Sequence, residues 1–451
     1  CKNSRRQGND MVLVVSAMSG ITDLLLSSAR KAETGDIGVA TRAHQQMLER
    51  HTAVIDELLA GSGYHETISR EIGGFLSEFD ALCHSIEVLG ELTPRALDVI
   101  SGMGERMSAR QVAAVLDCNG MPARPVDATR LIVTDDCFAS AVPIMPPTTE
   151  RCRSMLRPML EQGIIPVVTG FVGATESGIP TTLGRGGSDY TASILSLALE
   201  ASEVWIWTDV NGVMTADPRV VPDARTIPCL SYAEVGEMAY FGAKVLHPQA
   251  IRPARHGSIP LRILNTFEPD HPGTLISKDE DESRQTVKAI AAIRDLSLIT
   301  VEGSGMIGVP GVAARTFGAV AHTGTSVLMI SQSSSEQSIC FVVPGGETPH
   351  VLAVLEKEMA RELERRDIER IWSQDGIVIL AVVGAGMKGI PGISARIFSA
   401  MGRSNINVIA IAQGSSEYNI SLVIDRNDAD DAARCIHEEF QLAQEPAPGA
   451  Q

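Results

Sequence analysis

Apolar residues run almost unbroken at Met11–Val15, Ile164–Val168 and Val204–Trp207, and between these runs they recur at helical spacing. The short runs predict buried strands and the periodic stretches predict helices, among them a long helical stretch over about Thr41–Leu89 and another over Ser188–Glu200. The first run leads into a small-residue turn, Ser16-Ala-Met-Ser-Gly20, and a helix start near Leu24. The second leads into a glycine-rich stretch, Thr169–Gly187. Strands alternating with helices imply an α/β domain, a mainly parallel sheet sandwiched by helices.

The charged run near Ser277–Arg284 interrupts the apolar pattern and reads as a solvated linker. Beyond it the chain repeats itself. Ile299–Val343 aligns without a gap on Leu380–Ile424, placing Gly303 on Gly384, and each copy carries Gly-x-Gly-Met-x-Gly-x-Pro-Gly and Gln-x-Ser-Ser-Glu. Each copy reads strand, turn, helix, strand, turn, strand, with further helices at Glu347–Arg366 and Asp428–Phe440. This is the pattern of a ferredoxin-like α+β unit. The two units are expected to pack face to face, covering each other's edges. The expected division is therefore residues 1–280, 285–370 and 371–445.

A chain of 451 residues needs more than one core, and its formal net charge of −17 argues against a general nucleic-acid binder. No apolar run is long enough to suggest a membrane span, and no secretory signal opens the chain. The eight cysteines form no Cys-x-x-Cys pair and sit beside no histidine cluster. Reduced thiols in a cytoplasmic protein are expected, with no disulfide and no metal site. The first residue is Cys, so the sequence is expected to be a fragment or to have a misplaced start.

Candidate chemistry lies in four polar strings. Thr182-Leu-Gly-Arg-Gly-Gly-Ser-Asp189 stands before a helix. Its glycines let backbone approach an anion, the helix start offers free N–H groups, and Arg185 adds a fork for carboxylate or phosphate. A glycine-rich turn capped by Ser188 or Asp189 is the alternative. Trp207–Arg219 follows a strand, where ligands of open α/β sheets collect. Thr208 and Asp209 are candidates to face a nucleotide and Arg219 to meet its phosphates, unless Asn211-Gly212 is a hairpin turn. Phe241–Pro248 places Lys244 on an apolar stretch, as a phosphate contact or a snorkelling surface lysine, and His247 before a proline reads as structural. Ser101-Gly-Met-Gly-Glu-Arg106 puts Glu105 after a flexible turn. It is either an anchor for an ammonium or an acid favoured by the helix dipole.

Together the strings SAMSGITDLL (16–25), SGMGERMSA (101–109), TTLGRGGSDYTA (181–192), WTDVNGVMTADPR (207–219) and FGAKVLHP (241–248) resemble the aspartate kinase family of the amino-acid-kinase fold. The repeat resembles that family's two ACT domains, through Gly308-Val-Pro-Gly311, Gln332-Ser-Ser-Ser-Glu336, Asn405-Ile-Asn407 and Gln413-Gly-Ser-Ser-Glu417. The resemblance implies ATP-dependent phosphorylation of L-aspartate to 4-phospho-L-aspartate, at the entry to lysine, threonine and methionine synthesis. Arg185 would hold the substrate α-carboxylate and Glu105 its ammonium, helped by Asp189. Ser16 and Thr22 would line the acceptor pocket, with Ser188 near the reacting carboxylate. Thr208, Asp209, Met214, Arg219 and Lys244 would contact ATP, whose phosphates carry Mg²⁺. Lysine or threonine would bind between the ACT units near Gln332, Asn405 and Gln413, in a homodimer or larger assembly.

Two departures from the family pattern carry expectations. The family's opening Lys-Phe-Gly-Gly-Thr-Ser-Val strand has no match in residues 1–10, so weak or absent kinase activity is expected of the chain as it stands. Met214 stands where the family has tyrosine, which replaces an aromatic adenine contact with a thioether. The competing readings are an amino-acid-kinase-fold enzyme acting on glutamate or carbamate, and a catalytically silent regulatory subunit. No dinucleotide-binding Gly-x-Gly-x-x-Gly unit follows the repeat, so a fused homoserine dehydrogenase is not expected.

Overall fold

The computed structural model describes residues 1, 5, 8–241, 246–278, 285–333 and 335–444. They form two compact units, the first comprising Cys1–Ile206 with Leu246–Leu261 and the second Trp207–Val245 with Arg262–Gln451.

The first unit opens with β1 (Leu13–Val15), then α1 (Ile21–Glu33), α2 (Ile37–Leu58) and α3 (Tyr64–Leu89). The single helical stretch expected over Thr41–Leu89 is thus two helices. Gly61, with φ +72°, lies in the break, and α2 turns back to pack on α3. Both helices bury a stripe at three- and four-residue steps: Ala40, Ala43, Met47, His51 and Ile55 on α2, then Ile68, Ile72, Leu76, Phe79, Cys83 and Ile86 on α3. With Ile21 and Leu25 of α1 they form one core, in which each large aliphatic or aromatic side chain contributes about 1.5–3 kcal/mol. Next come α4 (Pro94–Ser101), capped by the Thr93 hydroxyl, and α5 (Met103–Cys118).

Strands β2 (Ala123–Val126), β3 (Val133–Thr134), helix α6 (Met145–Glu161), β4 (Ile165–Thr169), β5 (Val172–Thr175), β6 (Pro180–Thr182) and α7 (Gly187–Leu199) follow. β1, β4 and β2 form one parallel sheet in that order. β5 runs parallel to β3 and antiparallel to β6 in another. The parallel arrangement is as expected, but β1 is half-buried rather than buried because it lies at a sheet edge. β7 (Val204–Thr208) is also not fully buried: it alternates, with Trp205 and Trp207 exposed.

In the second unit, β8 (Cys229–Ser231) leads directly into α8 (Tyr232–Tyr240) through a capping box in which Ser231 and Glu234 bond each other's backbone N–H. Helix α9 (Pro248–Gly257) returns to the first unit, after which β9 (Leu261–Asn265) and β10 (Thr274–Ser277) follow, β10 pairing parallel with β8. Asn211-Gly212 does not turn a hairpin, because β7 pairs with β9 and Met214, just beyond the turn, bridges Thr226. The Asn211 amide N–H donates to Glu268 at 3.0 Å and its oxygen accepts from Asn265 at 2.7 Å. Most of the expected linker, residues 279–284, lies outside the described residues.

The repeat folds as β11 (Ala289–Glu302), α10 (Val312–His322), β12 (Met329–Gln332), β13 (Ser338–Pro344), α11 (Thr348–Glu358) and α12 (Ala360–Arg365), then β14 (Arg370–Val383), α13 (Ile393–Arg403), β15 (Ala410–Gln413), β16 (Asn419–Asp425) and α14 (Ala429–Glu439). Its strands make one sheet in the order β12-β13-β11-β14-β16-β15. The units therefore pair edge to edge through β11 and β14, not face to face. Each of these strands has 14 residues, long enough to serve both copies. Residues 289–293 of β11 pair with 379–383 of β14, and 296–302 pair with 370–377 across a register shift. Backbone hydrogen bonds along the shared pair satisfy two edges at once, which face-to-face packing would leave open.

The segment before α8 is tied to the second copy. The Thr215 hydroxyl lies 3.0 Å from His437 Nε2, and Ala216 and Val221 join the apolar core built on β14, β16, α13 and α14.

Candidate active site

A cavity of about 670 Å³ opens in the first unit, lined among others by Ser16, Thr22, Glu105, Arg185, Ser188 and Asp189. Every expected acceptor-pocket residue thus faces one space, although the strings that carry them are far apart in sequence. The turn Ser16–Gly20 reaches it because Gly104 lets α5 approach: a Cβ there would lie 2.6 Å from the Ala17 Cβ. The glycine after Ser101 likewise has no room, since a Cβ on Gly102 would lie 2.6 Å from Val172. These glycines serve close packing at the joint between α4 and α5 rather than the flexible turn expected.

That approach fixes Glu105. Its Oε1 accepts a hydrogen bond from the Ala17 N–H at 3.2 Å, while its Oε2 is buried without a hydrogen-bond partner among the described residues. The residue is 4 % exposed, and burial pushes its carboxyl up to about 7. Asp189, in the first turn of α7, is pushed up to about 6 by the same cause. Arg185, by contrast, is exposed and makes no hydrogen bond or ion pair with any described residue.

The loop that carries Arg185 depends on backbone shape. Gly184 and Gly186 have φ of +75° and +72°, and a Cβ on Gly186 would lie 2.5 Å from that of His247. His247 accepts from the Gln249 N–H as the N-cap of α9, which is the structural role expected of it. Burial first, and the Arg185 guanidinium second, hold its imidazole below the ordinary range. Gly170 is needed where Ser188 approaches, because a Cβ there would meet the serine hydroxyl at 2.5 Å.

Sequence reasoning missed Asp98, which also lines the cavity at 3 % exposure. Its oxygens accept from the Thr182 N–H (3.0 Å), the Thr182 hydroxyl (2.7 Å) and, from both sides, the Ala139 N–H (2.9 and 3.0 Å). The available signal was an acid between Leu97 and Ile100 on an otherwise apolar helical face. Ala139 and Phe171, two further lining residues, have left-handed backbones with φ of +69° and +71°. Non-glycine residues hold such conformations only where their surroundings impose them.

The nucleotide candidates lie in the second unit. Thr208 donates to Asp209 at 3.2 Å, and both have room for a further partner at the surface. Arg219 is exposed and forks onto Asp217 at 3.0 and 2.7 Å, which holds that carboxyl below its usual range. Met214 is half-buried, with its sulfur 3.6 Å from the Thr226 hydroxyl. Lys244 lies outside the described residues.

Residues 1–265 match the amino acid kinase family, and residues 299–359 and 380–440 each match the ACT domain. Aspartokinase 2 of Arabidopsis thaliana chloroplasts is 33% identical over 95% of this chain and 78% of its own length. The chain belongs to the aspartokinase family. The structure of Escherichia coli aspartokinase III in complex with aspartate and ADP (R-state) superposes with a TM-score of 0.81 at 29% identity, covering 97% of this chain and 94% of that one. The same enzyme with lysine and aspartate (T-state) gives 0.77. A bifunctional aspartokinase/homoserine dehydrogenase of Arabidopsis thaliana is 38% identical over 98% of this chain but only 48% of its own length, so the chain spans about half of such relatives.

In this aspartokinase fold the candidate regulatory residues occupy matching places in the repeat. Gln332 ends β12 and Gln413 ends β15, both exposed, and the two strands approach with Cα atoms within 8 Å. The Glu336 carboxylate accepts from the Gly308 N–H at 3.0 Å, and Glu417 does the same for Gly389 at 2.6 Å. The Gln-x-Ser-Ser-Glu turns therefore brace the glycine loops that precede α10 and α13. Asn405, in the turn after α13, is exposed and left-handed at φ +55°. Among the described residues no helix is long and apolar enough to cross a membrane.

Proposed function

We propose that the chain is the kinase part of an ATP-dependent aspartate kinase that converts L-aspartate to 4-phospho-L-aspartate. The observation that carries this reading is the pairing, in one cavity, of a buried carboxylate oxygen without a partner on Glu105 and an unengaged guanidinium on Arg185. An acid and a base held separately suit a zwitterion, the ammonium on Glu105 and the α-carboxylate in the fork of Arg185. Ser16, Thr22, Ser188 and Asp189 then surround the side chain.

The β-carboxylate of aspartate is ionised at neutral pH, so no general base is required. One of its oxygens bonds to the γ-phosphorus of ATP as the bond to the bridging oxygen breaks, releasing ADP. Catalysis is positioning and charge stabilisation. Thr208, Asp209, Met214, Arg219 and Lys244 are the nucleotide residues in this reading. Mg²⁺ would arrive on the phosphates of the nucleotide.

The segments 1–280, 285–370 and 371–445 would act as catalytic, first ACT and second ACT domains of a cytoplasmic homodimer or larger assembly. Lysine or threonine would bind near Gln332, Asn405 and Gln413 and inhibit by favouring one quaternary state. The test is ADP release by the full-length protein with aspartate against glutamate. Aspartate is expected to be preferred over glutamate at least tenfold in ADP release or, where turnover is slow, in calorimetric binding. An equal response to the two amino acids in both measurements would overturn the reading.

A further inference from the structure

We propose that Asp98 is a positioning residue of this pocket, acting through Thr182 and Ala139 to set the place of Arg185. The proposal rests on the aspartate-kinase reading for its kinetic arm only. Asp98 is a buried carboxylate, and no cation among the described residues pairs with it. Such a group is costly to bury unless its lone pairs are filled by well-placed donors. Its donors come from two segments remote in sequence, at Ala139 and at Thr182.

Both segments bear on Arg185. Thr182 ends β6, three residues before the arginine. Its own carbonyl accepts from the Ala141 N–H at 2.8 Å, so Asp98 and the strand both accept from the same loop. The Ala139 carbonyl lies 3.2 Å from the place where a Cβ on Gly184 would stand, so that loop lies against the left-handed turn that launches Arg185. Asp98 grips the Ala139 N–H with both oxygens, and Ala139 is one of the strained non-glycine residues of the cavity wall. Releasing this grip frees Ala139 to leave its left-handed conformation and loosens the floor under Gly184. Arg185 has no hydrogen bond or ion pair with any described residue to fix it, so the effect falls on the substrate's α-carboxylate and not on the nucleotide.

The experiment compares Asp98→Asn, Thr182→Val and Thr182→Ser with the wild-type full-length protein, reading hydrogen exchange at amides 182–187 and KM for aspartate and for ATP. Asn keeps the shape of Asp98 but presents a donor where an acceptor is needed. Asp98→Asn is expected to raise the aspartate KM about tenfold and Thr182→Val about threefold, the range of one lost charge-assisted hydrogen bond. Thr182→Ser keeps the hydroxyl and is expected to stay near wild type, as is the ATP KM in all three. Exchange at 182–187 is expected to quicken in Asp98→Asn. Unchanged exchange overturns the proposal, as does an aspartate KM within twofold of wild type, even if thermal stability falls. Should Asp98→Asn fail to fold, Thr182→Val decides alone. Should the wild type not use aspartate, the kinase reading fails, and exchange at 182–187 still decides whether Asp98 sets the loop.

Discussion

Glu105 should make the empty pocket unstable in a way that substrate repairs, and Glu105→Gln isolates the effect. In the fold its carboxyl titrates near 7, against an ordinary 4.5, because burial disfavours the charged form. At a pH below about 4.5 the group is protonated in both folded and unfolded chains and costs nothing. Between 4.5 and 7 the unfolded chain gives up its proton while the fold keeps it, so stability falls as pH rises, and the whole of this group's cost is reached above about 7. The interval corresponds to about 3 kcal/mol. Glutamine keeps the shape and still accepts from the Ala17 N–H, but it does not titrate. Urea unfolding without ligand should therefore show the variant about 3 kcal/mol more stable than wild type at pH 8, and close to it at pH 4.5. In the proposed reading the same substitution removes the charge assigned to the substrate ammonium, so the aspartate KM should rise roughly ten- to a hundredfold. In wild type that KM should fall as pH rises through 7, and in the variant it should be flat. A variant less stable than wild type at pH 8, or an equal difference at both pH values, would refute the argument that Glu105 is held at the expense of the fold.

Two further outcomes follow from the second unit. Lys288 and Glu234 form a buried ion pair at 3.1 Å, their side chains 4 % and 0 % exposed, so Lys288→Met should cost about 3–5 kcal/mol by denaturant unfolding through the charge left unpaired. Adding Glu234→Gln should recover part of that loss, and if it recovers nothing the pair is not the cause. Gln332→Ala or Gln413→Ala should shift half-inhibition by lysine or threonine at least tenfold with kcat unchanged, and unaltered inhibition by both amino acids would exclude these glutamines from the effector site.

The candidate polar residues that the cavity brings together were legible in the sequence because each sits in a string whose local chemistry is explicit. Arg185 lies between glycines, Asp189 at a helix start, and Glu105 behind two glycines. What the strings could not show is why the glycines are there: Gly104 and Gly186 respond to Ala17 and His247, neighbours only in space. Asp98 was illegible for a related reason. Its donors are the main-chain N–H groups and one hydroxyl of residues 41 and 84 positions away, and a backbone donor leaves no mark in the side-chain pattern.

The same limit explains the repeat. The continuous apolar runs in β11 and β14 mark buried strands, but hydrogen-bonding partners lie along the strand edge, and any two apolar strands satisfy the pattern equally. A second consequence of edge pairing concerns α8. Ser231-x-x-Glu234 marks a helix start on sequence grounds alone. In the fold Glu234, Glu237 and Tyr240 fall on successive turns of one face, where they bond the Ala385 N–H at 2.8 Å, the Asn419 amide at 3.1 Å and the Leu328 carbonyl at 3.0 Å. The first two partners belong to the second copy of the repeat and the last to the first copy. One short helix thus bonds both copies, which the shared strands already join into one sheet. Because α8 is held by both, relative movement of the copies must break at least one of these bonds.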